Sequence, residues 1–277
     1  MQKGKKKNTG NVKMASPLFT IPGIVEGRFI GLLLNIVLAG LVMYYIKYGK
    51  DITIRRVPGL DAIEEAVGRA AEMGKPVICS YGLAGFTYWT LAGLSILSHV
   101  AKLAARTGTR LIVPTGGSDA SLIVRPVAEE IVQNAYLMEG EDDKYDPNDL
   151  PFLSSQQYAY VGGYVGIMQR TRPGAVIMTG SHWSDAMNIA ETANAVGAIT
   201  IASGSYISNV AALACASDYI LIGEETAAAG AYLSDDMAQK ASIRVQDIFK
   251  VLCIGLIILG LVSYNAGSEF VLNLLST

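Results

Sequence analysis

The sequence predicts an α/β domain with a mainly parallel, Rossmann-like sheet and helices on both faces, flanked by two transmembrane helices. Three observations predict it. From about residue 51 to 247 short β-rich apolar runs alternate with longer helical ones, the pattern of βαβ units. Gly74, Gly108 and Gly197 each close a helix with the residue that tolerates the left-handed end position, and a strand follows directly. Lastly, uncharged apolar runs lie on either side of this region, and hydrophobic residues make up 51% of the 277, against 17% charged.

Taken in order, residues 1–28 form a basic N-terminal tail. The run Phe29–Ile46, between Arg28 and Lys47, is uncharged and long enough for a spanning helix. Tyr44, Tyr45 and Tyr48 suit its lipid–water boundary, and no small-residue cleavage site follows, so it reads as a retained anchor. The α/β domain is placed at 51–247. Its strands are expected at Ile52–Ile54, Val77–Ser80, Leu111–Pro114, Ala175–Thr179, Ile199–Ala202 and Tyr219–Ile222. Helices are expected at Leu60–Met73, Thr87–Arg106, Ser121–Met138, Ser154–Arg172, Ser184–Val196, Asn209–Ala216 and Glu224–Leu233. Residues 138–155, acidic and without periodicity, read as a solvated loop lacking the alternation and central glycine of a calcium site. A second span is expected at 248–268, built on the uncharged run from Val251 to Ser268, with a tail at 269–277.

Charge excludes one class of partner. Between Asp51 and Asp247 there are 22 Asp and Glu against 13 Lys and Arg, and an acidic domain does not neutralise phosphates, so no nucleic acid is expected. The lipid bilayer is the partner the spans imply. Lys and Arg flank the spans about equally on the two sides and decide nothing. The three cysteines show no metal or disulfide spacing, and free thiols suit a reducing compartment, so the domain is placed in the cytoplasm.

Chemistry is sought at the glycine turns after the strands. In open parallel sheets ligands bind beyond the strands' carboxyl ends, beside helix N-termini with free N–H groups. The ligand-binding candidates are therefore Gly116, Gly117, Ser118 and Asp119, then Gly180 and Ser181, then Gly204 and Ser205. The alternative is that Asp119, Asp185 and Asn209 cap those helices themselves, and an aspartate there opposes a second anion. No phosphate-binding glycine motif occurs, so no cofactor is named. His182, beside Ser181, Ser184 and Asp185, is the better catalytic candidate of the two histidines, since a nucleophile needs a base in reach. The other, His99, reads as a packed residue in an apolar helix. Glu224 and Glu225, after the last strand, could serve as acid and base or simply as helix-dipole partners. No metal site is expected.

Three segments, "LDAIEEAVGRAAEMGKPV", "TLAGLSILSHVAKLAARTGTRLIV" and "DYILIGEETAAAGAYLS…SIRVQDIFK", resemble a family of uncharacterised prokaryotic membrane proteins known as a domain of unknown function. The resemblance covers about residues 57–262. It implies a membrane-tethered α/β domain followed by a C-terminal span, and implies no substrate or catalytic residue. Helices rich in Gly and Ala permit close approach between copies, so the first expectation is a homo-oligomeric scaffold or accessory subunit rather than an enzyme. The second is a ligand- or nucleotide-binding domain, or an enzyme, using the strand-end crevice.

Overall fold

The computed structural model describes residues 29–49, 58–117, 119–204, 206–234 and 237–266. The expected strand Ile52–Ile54 and both tails lie outside them. The chain divides into an α/β unit, 52–240, and a second unit made of 1–51 and 241–277.

The α/β unit begins with α2 (Pro58–Glu72), since α1 (Phe29–Tyr48) belongs to the other unit. Then follow β1 (Val77–Gly82), α3 (Tyr88–Thr107), β2 (Leu111–Ile112), β3 (Thr115–Gly116), α4 (Asp119–Leu122) and α5 (Val124–Met138). After a long connection come β4 (Phe152–Ser154), α6 (Gln157–Thr171), β5 (Ala175–Ser181), α7 (Asp185–Ala195) and β6 (Ile199–Gly204). The last elements are α8 (Ile207–Ala216), β7 (Tyr219–Ile222), α9 (Glu224–Ser234) and the start of α10 (Met237–Asn265). Five strands form one sheet in the order β2-β1-β5-β6-β7, every pairing parallel. β3 and β4 pair in parallel as a small second sheet.

Alternation along the strands builds two cores. Val77, Cys79 and Tyr81 of β1, with Ala175 and Ile177 of β5, pack under α2, α3, α5 and α9. Ile78, Val176, Met178 and Ala202 face the other way, onto α6, α7 and α8. Both faces of the central strands are thereby buried, as a parallel sheet requires. The joints behave as their glycines predict: Gly108 closes α3 at φ 67, and its N–H bonds the carbonyls of the last turn.

Three departures have local causes. The expected strand Leu111–Pro114 divides into β2 and β3, because Pro114 has no N–H for a ladder and Val113 turns instead to the Asp149 carbonyl. The expected helix from Ser121 to Met138 breaks at Ile123. The acidic connection 138–155 is more than a solvated loop. Its second half holds the fully buried Leu150 and the strand β4, and Arg110 donates to Asp149 through Nε (2.9 Å) and Nη2 (2.6 Å).

The second unit contains α1 (Phe29–Tyr48), whose apolar window is not buried at all. α10 is one helix of 29 residues, starting well before the apolar run at Val251, because nothing between Met237 and Lys250 breaks a helix. α1 and α10 are the two described helices long and apolar enough to cross a membrane.

Candidate functional site

β1 has β2 on one side and β5 on the other, so the chain winds away from it in both directions. The carboxyl ends of β1 and β5 therefore form the switch point of the sheet, where open parallel sheets hold their ligands.

Two residues from the end of β1, Ser80 faces the α6–α7 side and is wholly buried. Its Oγ lies 3.2 Å from Nε2 of His182, the residue directly after β5. His182 Nδ1 in turn lies 2.5 Å from Oδ2 of Asp185, the first residue of α7. The other carboxylate oxygen, Oδ1, accepts the Trp183 N–H at 2.7 Å and the Gln157 amide at 2.8 Å. With the carboxylate ionised, Nδ1 carries the proton and donates to it, which leaves Nε2 to accept from the Ser80 hydroxyl. The sequence folds this way locally because the turn from β5 into α7 is only three residues long, so His182 and Asp185 meet across it. The Asn209 side chain fixes the same turn from α8, donating to the carbonyls of His182 (3.1 Å) and Trp183 (2.8 Å).

Electrostatics favour the charged form of Asp185. Burial would raise its carboxyl, but the facing His182, the Trp183 N–H and the Gln157 amide outweigh burial and hold it at about 2. Two buried tyrosines of α6 close the far side. Burial pushes both phenols well above their ordinary range. Tyr160 Oη reaches the Pro114 carbonyl at 3.4 Å. The Tyr164 hydroxyl feels Ser80, yet it meets no partner at hydrogen-bond geometry among the described residues. An unsatisfied buried hydroxyl costs about 1–3 kcal/mol. It marks a place where an incoming oxygen would find a donor.

The predicted glycine turns are filled by the protein itself. A side chain at Gly116 would meet the Tyr160 ring and the Ser154 carbonyl; at Gly204 it would meet Val210. Gly117 (φ 107) packs on the Leu83 carbonyl and Gly180 (φ 84) on the Tyr81 carbonyl, so both lie against backbone that a Cβ would strike. Ser181 is buried, its hydroxyl 3.5 Å from that of Tyr206. Ser118 and Ser205 lie outside the described residues, and Asp119 opens the short helix α4. Glu224 and Glu225 open α9 beyond the edge strand β7, about 10 Å or two strand spacings from β5. Glu225 accepts the Ile222 N–H at 3.0 Å.

His99 lies 3.6 Å from Glu64 on the opposite helical layer, and burial lowers its pKa against the pull of that carboxylate. Among the described residues no three His, Cys, Asp or Glu gather as metal ligands. One cleft, of about 270 Å³, opens at the amino end of β2 and is lined by Arg110, Tyr136, Lys144 and Asp149 among others, at the opposite edge of the sheet from Ser80.

A family model described as a domain of unknown function, DUF6754, matches residues 23–275. No curated protein matches the chain. No solved structure matches it.

Proposed function

Because the chain belongs to the DUF6754 family, whose domain covers nearly all of it, its activity must be argued from the site itself, and we propose a membrane-tethered serine hydrolase or acyl transferase. The observation that carries this reading is the hydrogen-bonded line from Ser80 through His182 to Asp185 at the switch point of the sheet. In it His182 Nε2 takes the hydroxyl proton as Ser80 Oγ bonds to an acyl carbon, and Asp185 stabilises the imidazolium that forms. The same proton then goes to the leaving group, and water or an acceptor alcohol releases the acyl chain from Ser80 with His182 again as base. Tyr164 is the donor for the developing oxyanion. Since Ser80 has no exposed surface, substrate entry requires the His182–Asp185 turn or α6 to shift.

The test is a fluorophosphonate probe on the full chain in its own membranes. We expect an adduct on Ser80, absent in Ser80→Ala and at least tenfold slower in His182→Gln. Tyr164→Phe is expected to slow labelling while raising Tm, because it removes an unsatisfied hydroxyl. No adduct on the wild type, or an adduct that survives Ser80→Ala, ends this reading.

A second reading, the homo-oligomeric scaffold, draws support from α8. It carries no charge, yet only Leu213 of its ten residues is buried, and it lies beside β7 at the open edge of the sheet. If the detergent-solubilised chain runs as a monomer at every concentration, the scaffold reading fails.

A further inference from the structure

Charge in the α/β unit is sorted along the strand axis. The connections 72–75, 106–110, 139–149, 170–172 and 217–218, at the amino ends of strands, carry charged residues, and 196–198 before β6 carries none. The turns at the carboxyl ends of β1, β4, β5 and β6, residues 83–87, 155–156, 182–184 and 205–206, contain no Lys, Arg, Asp or Glu. The helices continue the gradient: α3 has none of these residues before Lys102, α6 none before Arg170 and α8 none at all. The charged residues at this end are Asp61 in the first turn of α2, Asp119, Arg125 in the first turn of α5, the buried Asp185 and the Glu224–Glu225 pair. What this edge presents instead is apolar and aromatic, with Ile207 94%, Tyr158 77%, Ile123 65%, Trp183 57% and Phe86 54% exposed. Soluble surfaces seldom gather such residues.

The chain also enters and leaves the unit here. Gly59, near the start of α2, lies against Leu221 towards the carboxyl end of β7, whereas Ala70, near its end, lies against Gly174 at the foot of β5. α2 therefore begins at the carboxyl edge of the sheet. Eight residues, 50–57, precede Pro58, and a link of that length reaches at most about 30 Å. At the exit, Gln239 exchanges hydrogen bonds of 3.0 and 3.3 Å with Ser95. Ser95 is seven residues into α3, about 10 Å from the helix start at this same edge.

We propose that the carboxyl edge of the sheet rests on the lipid bilayer, with Trp183, Tyr206 and Phe86 at headgroup level and the charged edge in water. Trp and Tyr prefer that interface, and turns without charge lose little on leaving water. The inference rests on the membrane-tether reading and orients the His182–Asp185 turn that covers Ser80 towards lipid, so an acyl substrate would reach it from the bilayer when that turn shifts.

The experiment uses the full chain reconstituted in phosphatidylcholine vesicles, with Trp89→Phe leaving Trp183 as the single tryptophan. Flotation after alkaline carbonate comes first: loss of the protein from the vesicles overturns the tether, and retention upholds it. In retained protein, lipid brominated near the top of the acyl chain is expected to quench Trp183 at least twofold and iodide to leave it largely untouched. A tryptophan moved to the charged edge by Met138→Trp, in a Trp89→Phe, Trp183→Phe background, is expected to show the reverse. Trp183 unaffected by brominated lipid, whether open to iodide or shielded by a second copy, overturns the lipid contact while leaving the tether standing.

Discussion

Asp185 makes the site's most direct physical claim. Its folded carboxyl sits at about 2, below the ordinary value of 3.8, so its interactions stabilise the fold fully above pH 4 and lose that effect as pH falls towards 2. The shift corresponds to about 2 kcal/mol. Thermal unfolding of the wild type in detergent should therefore weaken between pH 4 and pH 2 more steeply than that of Asp185→Asn, and parallel curves would count against the pairing. Part of this site was legible in the sequence: His182 and Asp185 stand three apart after a strand, and both are in it. Ser80 was not legible, because it lies 102 residues away in a buried strand and only sheet pairing brings it to His182. The sole local signal was one hydroxyl at the end of the otherwise apolar run Val77–Ser80. Gly117 and Gly180 serve close backbone packing, a use that sequence alone does not distinguish from a cradle for an anion.

Elements were more legible than side-chain partners. Period and glycine stops foretell every strand of the main sheet, because burial on both faces leaves the central parallel strands continuous apolar runs, and the edge strand β7, though partly exposed, falls at the expected residues. Long-range capture of irregular chain was not foretold. Residues 138–155 look solvated by composition, yet Asp149 is drawn in by Arg110 and carries the backbone contact to Val113. We expect Asp149→Ala to cost about 1 kcal/mol, modest because Arg110 remains largely in water. That loss should lower Tm by about 2–4 °C in a unit of this size, with the larger effect on a probe placed in β4. A shift confined to β4 with no change in Tm would mean the connection opens independently of the core.

At the scale of the whole molecule, the tethers and the cytoplasmic placement of the α/β unit are proposals with a simple readout. Cys215 is exposed and free. In intact cells a membrane-impermeant maleimide should leave it unlabelled, and lysis should make it reactive; labelling before lysis would put the unit on the outer side. The central strand pair has a further consequence, for synthesis. Val77 pairs with Leu111 on one side and Ala175 on the other, so β1 gains β2 early but waits for nearly a hundred residues of chain before its second neighbour exists. Loop closure of that length is slow compared with helix formation. The nascent unit therefore leaves the ribosome with β1 paired on one side at most, and the β5-facing side of Val77–Gly82 stays open until residue 181 emerges.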